Sequence, residues 1–179
     1  MFKKVMFKKL LITSAILAMS GNIALANGAP YVGAGLGITT NTGSNGSFRG
    51  VTGTVMGGYG AIMGESFYLG GELFGDAFTA TMTDHGSGMR TTYGYGASIL
   101  PGFMLSEHTM AFARLGVQLS HFSKADSTVM GGQAGLGFQT SMTQNWDVRG
   151  EYDYTDYRKV SGQNPVADQF DVSLIYKIQ

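Results

Sequence analysis

From Tyr31 onward the chain repeats one pattern: apolar side chains take every second position, and glycine or polar residues take the positions between. A period of two belongs to the β-strand, whose successive side chains point to opposite faces. No helical apolar period competes with it. The first segment, YVGAGLGIT, sets Val32, Ala34, Leu36 and Ile38 against Gly33, Gly35 and Gly37. The second carries Val51, Val55, Tyr59 and Ala61 on one face. The third sets Phe67, Leu69, Leu73 and Ala77 against Glu72, Phe74 and Asp76. The fourth aligns Tyr93, Tyr95, Ala97, Ile99 and Phe103, with Pro101 marking a bulge or a strand end because it lacks a ladder donor. Ala111, Ala113, Leu115, Val117 and Leu119 then oppose Phe112, Arg114, Gly116 and Gln118, and Met130, Ala134, Leu136 and Phe138 oppose Gln133 and Gln139. The seventh segment runs from Trp146, and the eighth sets Phe170, Val172, Leu174, Tyr176 and Ile178 against Asp171, Ser173 and Lys177.

The seventh segment decides which face is which. In RGEYDYTDY, residues 149–157, Arg149, Glu151 and Asp153 alternate with Gly150, Tyr152 and Tyr154. Tyrosine suits a lipid boundary, where its ring is buried and its hydroxyl stays wet. The charges then point to an enclosed interior that also receives Glu72 and Arg114. Segments of about ten residues fit a tilted crossing of an outer membrane. Only a closed barrel satisfies every backbone group in lipid without leaving an edge. The expected fold is all-β: an eight-stranded antiparallel up-and-down transmembrane β-barrel. Breaks at Gly64-Glu65-Ser66, Ser106-Glu107-His108 and Thr143-Gln144-Asn145 read as short periplasmic turns. The polar stretches TNTGSNGS, 79–91, HFSKADSTV and 158–167 read as longer outer loops. A lipocalin-like soluble barrel with its apolar face inward is the alternative, and it leaves the glycine-rich face unexplained.

Residues 1–26 read as a removable leader. Four lysines precede the apolar run LLITSAILAMSG, and Ala24-Leu25-Ala26 forms an A-x-A cleavage pattern before Asn27. The barrel domain is then expected over 27–179. Without the leader's lysines the chain is mildly acidic, and no basic cluster suggests nucleic acid as a partner. Cysteine is absent, which removes thiol chemistry, disulfides and Cys-based metal sites. The 28 glycines lack a period of three and only 3 prolines accompany them, so they speak for crowded, curved β structure and not for collagen.

The segments FYLGGEL, LPGFMLSEHTMAFARLGV and GLGFQTSMTQNWDVRGEYDYTDY, with YKI near the end, resemble the small outer-membrane β-barrel family related to OmpX and the OmpA barrel domain. The resemblance spans nearly the whole chain after the leader. It implies residence in the bacterial outer membrane, contact with outer-membrane lipid and lipopolysaccharide, and handling by the barrel insertion machinery. A host surface ligand for the outer loops is the recognition it makes plausible. Where that family closes its last strand on an aromatic residue, this chain has Ile178 and then Gln179.

Candidate site residues follow from the faces. Glu72, Arg114, Arg149, Glu151 and Asp153 are expected to form a polar network inside the barrel, structural in role because eight strands leave room only for side chains. A proton or ion path is the alternative. Tyr93, Tyr95, Trp146, Tyr152, Tyr154 and Tyr176 are expected at the membrane interfaces. No catalytic, cofactor or metal residues are assigned. His121-Phe122-Ser123 carries the His-x-Ser spacing of some lipid A deacylases, in which histidine is the base for serine. Lys124 replaces the asparagine those enzymes have, and no carboxylate is offered by the next strand. His85, with Asp84 and Ser87, lies in a glycine-rich stretch whose members are too close in sequence to converge as a triad. GAGLG lacks the strand-to-helix context of a nucleotide fingerprint.

Overall fold

In the computed structural model, described for residues 28–43, 46–84, 91–122, 127–158 and 164–178, the chain is almost entirely strand. The described residues form β1 (Gly28–Gly43), β2 (Gly46–Met63), β3 (Phe67–Asp84), β4 (Thr91–Met104), β5 (Thr109–Phe122), β6 (Ser127–Ser141), β7 (Trp146–Tyr157) and β8 (Val166–Lys177). Each strand pairs antiparallel with its neighbour in sequence, and β1 pairs with β8, so the sheet closes into a barrel. Closure removes both edges, which answers the backbone requirement of lipid. No helix among the described residues is long and apolar enough to cross a membrane.

The apolar sets identified above lie on the outside, apart from the buried Ala61. Leu36, Val55, Ile99, Leu115, Leu136, Phe138, Phe170 and Val172 are all exposed, whereas Glu72, Arg114, Arg149, Glu151 and Asp153 are buried. The inner face of β1 is glycine at 33, 35 and 37, where β8 lies close against it. A Cβ on Gly35 would collide with the Ser173 hydroxyl and the Val172 carbonyl, and one on Gly37 would collide with the Asp171 side chain. At the β2–β3 turn, Gly64 has φ +64, a conformation open to glycine at little cost.

Three expectations change. Three of the four stretches read as long loops are entered by strand: β1 and β2 leave only 44–45 between them, β3 runs on to Asp84, and β5 reaches Phe122. Apolar alternation is required only at lipid depth, so polar residues can extend the ladder beyond it. Pro101 neither ends nor bulges its strand. It pairs with Leu69 on the β3 side, while the β4–β5 pairing lapses at 100–101 and resumes in the same register at Gly102↔Phe112. The register shift in that pairing falls instead between Thr91 and Tyr93. The interior is also less polar than expected, holding Met56, Phe74, Leu100, Met110, Phe112 and Ile175 among its buried residues.

Candidate functional site: the lumen and the outer girdle

The lumen is built in layers along the axis. At the end carrying the turns 64–66, 105–108 and 142–145, a cavity of about 220 Å³ opens between Tyr31, Tyr68, Met110, Asp147 and Lys177. Lys177 Nζ lies 2.8 Å from Asp147, whose other oxygen accepts from Gln139 at 2.6 Å.

Above it lies the charge layer, with its members on β3, β5 and β7. Arg149, buried to 1% exposure, donates from Nη1 to Glu72 at 2.6 Å and from Nε to Gln139 at 2.9 Å. Arg114 donates from Nη2 to Glu72 at 2.6 Å and to Glu151 Oε2 at 2.8 Å, and its Nε also pairs with Glu151. Asp153 sits 3.5 Å from Arg114 Nε. Tyr31 donates its hydroxyl to Glu72 at 2.8 Å, and Arg114 Nη1 donates to Ser98 at 3.1 Å. All five residues of the expected network therefore meet.

The inward apolar residues explain how charges tolerate this depth. The Arg114 guanidinium lies over the Phe74 ring at 5.2 Å, and that of Arg149 lies over Phe112 at 5.0 Å and Tyr31 at 5.6 Å. Arg149 Nη2 has no hydrogen-bond acceptor among the described residues, and ring faces complete its surroundings. Tyr31, Phe74 and Phe112 are network members that charge alone does not reveal. Their strand parity, the same as that of Glu72 and Arg114, was the available signal.

The next layer is acidic. Asp76 and Asp171 are buried and receive amides, Gln118 Nε2 at 2.9 Å and Gln169 Nε2 at 2.7 Å. Thr54 Oγ1 donates to Asp76 Oδ1 at 2.8 Å and stands 3.5 Å from Asp171 Oδ1. Thr39 donates to Gln169 Oε1 at 2.8 Å and Thr155 to Gln118 Oε1 at 3.2 Å, which orients both amides toward the carboxylates. At the far end Phe122, Tyr157 and Ala167 pack together, the two rings edge to face at 5.3 Å.

Outside, all six aromatics of the expected girdle are exposed, and they fall at two levels. Trp146 and Tyr176 pair at the turn end with ring centroids 5.0 Å apart. Tyr93, Tyr95, Tyr152 and Tyr154 lie further along, toward the opposite end. There Tyr152 donates to Asp168 at 2.5 Å, and Tyr93 stacks on His121 at 5.1 Å. His121 is thus a strand residue on the outer face of β5, while Ser123 and Lys124 lie outside the described residues. So do His85, Ser87 and residues 1–26, read above as a leader. Among the described residues no group of three or more His, Cys, Asp or Glu is arranged to hold a metal ion.

A family model described as the outer membrane protein beta-barrel domain matches residues 10–177. Among solved structures, the neisserial surface protein A is 18% identical, with 85% of this chain and 99% of that chain covered and a TM-score of 0.57. Ail, the attachment invasion locus protein of Yersinia pestis, in complex with the heparin analogue sucrose octasulfate, is 12% identical, with 84% and 99% covered and a TM-score of 0.53. At these identities the likeness is one of fold. No curated protein matches the chain.

Proposed function

The chain belongs to the outer-membrane protein β-barrel family and resides in the bacterial outer membrane, and from that premise we propose that it is a non-enzymatic surface-interaction protein whose outer loops contact a host ligand. The observation that carries this reading is the unequal reach of the two ends. The last pair between β3 and β4 is Ala77↔Tyr93, yet β3 continues to Asp84 paired with β2. A sheet that continues past this pairing offers a platform for recognition by loops, which carry function on such scaffolds. The leader at 1–26 suits export to that address. Lipopolysaccharide and lipid would face the outer girdle, and the insertion machinery would deliver the chain.

The lumen supports a structural role for Glu72, Arg114, Arg149, Glu151 and Asp153. Between the mouth and the aromatic pair Phe122–Tyr157, the described interior holds the Arg–Glu pairs with the rings beside them and then the hydrogen-bonded aspartates, the side-chain packing expected for eight strands. This packing supports a structural lumen over a solute pore.

The reading is tested by replacing 85–90, 123–126 and 159–163, singly and together, with short Gly-Ser turns in cells expressing the full chain. Attachment to host cells should fall while the unboiled protein keeps its altered gel mobility. Undiminished attachment with all three replaced would refute surface interaction through these loops. Lipid A from expressing and non-expressing cells should give the same mass spectrum, and loss of an acyl chain dependent on Ser123 would instead establish an enzyme.

A further inference from the structure

Charge is distributed unevenly along the lumen. In the layer of Arg114 and Arg149, the two guanidiniums face Glu72 and Glu151, and Lys177 answers Asp147. One layer further along stand Asp76 and Asp171, each at most 5% exposed, and no cation of their own accompanies them among the described residues. Arg114 comes within 3.5 Å of Asp153, but no described cationic group is in ion-pair range of Asp76 or Asp171. An ionised carboxylate taken from water without a counter-charge is costly, and two that share one site cannot readily both remain ionised.

The hydrogen bonds sharpen this imbalance. Thr54 Oγ1 lies between Asp76 Oδ1 at 2.8 Å and Asp171 Oδ1 at 3.5 Å, and a hydroxyl has a single proton to donate. Each outer oxygen already has its amide donor. Thr54 Oγ1 can bond both aspartates only by donating to one and accepting from the other, and the second must then carry a proton, which also removes one uncompensated negative charge. The small cavity they line, about 10 Å³, has room for a water molecule at most.

We infer that Asp76 and Asp171, joined through Thr54 Oγ1, form a buried proton-binding site that holds one proton between them in the folded barrel at neutral pH. The charged and titratable groups facing the site are Arg114 on β5 and Glu151, Asp153 and Tyr157 on β7, while β8 adds the neutral Gln169. β1, β2, β4 and β6 present Thr39, Thr54, Ser98 and Gln133, which do not titrate. Unfolding exposes both aspartates to water, where each is ionised above about pH 4, so unfolding releases the proton. Stability therefore rises as pH falls, by about tenfold in the folding constant per pH unit while the site keeps its proton and the unfolded chain does not. This inference concerns the lumen and stands apart from the loop reading.

The test is urea unfolding of the full barrel in detergent micelles from about pH 8 to about pH 5 at constant ionic strength. Wild type should gain stability toward acid, and Asp76→Asn and Asp171→Asn should each flatten that dependence. Equal slopes in wild type and both variants would overturn the site, as would stability that follows sodium concentration at fixed pH. If the variants fail to fold, the wild type alone decides. Its infrared spectrum near neutral pH should contain a protonated-carboxyl C=O stretch that shifts in D2O, and the absence of this band would refute the inference.

Discussion

Two neighbouring layers of the lumen are buried to the same degree and satisfied in different ways. Around Arg114 and Arg149 the carboxylates of Glu72 and Glu151 meet guanidiniums, and aromatic rings close the remaining faces. Around Asp76 and Asp171 the carboxylates meet only amides and a hydroxyl. The first layer compensates charge with charge, and the second supplies hydrogen bonds with no net charge. Burial alone therefore says little about how a buried acid is tolerated. The partner's chemistry decides what its loss costs and whether pH matters.

The sharpest way to break the contrast is to remove the counter-charge. Arg114→Leu leaves Glu151 without its guanidinium and should cost about 3–5 kcal/mol, because an uncompensated buried charge remains. Urea midpoints in detergent measure this, and bilayer recordings of the same variant should show no new conductance. A large current would mean that Arg114 plugs a pore. Gln169→Leu removes one neutral donor from Asp171 and should cost less, about 1–3 kcal/mol. Its penalty should shrink toward acid if Asp171 shares the proton. A penalty as large as that of Arg114→Leu would erase the distinction between the layers. Tyr152→Phe, outside both layers, deletes an exposed hydrogen bond to Asp168 and should shift stability by no more than about 1 kcal/mol in the same assay.

Much of this arrangement was legible in the residues. Strand parity placed Glu72, Arg114, Arg149, Glu151 and Asp153 inward and Tyr93, Tyr95, Trp146, Tyr152, Tyr154 and Tyr176 outward, because a period of two leaves no choice of face once one face is known. Strand length was less legible. Hydrophobic alternation stops where lipid stops, but hydrogen bonding does not, so β3 continues through threonines read as loop. Tyr31, Phe74 and Phe112 share the inward parity, yet nothing local announces that their rings receive guanidiniums.

What the sequence determined by itself was the period, and with it the barrel class and the sidedness of every strand. The tertiary structure alone decided who pairs with whom. Glu72, Arg114 and Arg149 come from β3, β5 and β7, strands that are not neighbours in the sheet, and only closure of the barrel brings their side chains to one point on its axis. The same closure leaves Asp76 and Asp171 facing one threonine. Pairing across a lumen depends on strand register and stagger around the whole ring, which the local pattern of any one strand does not contain.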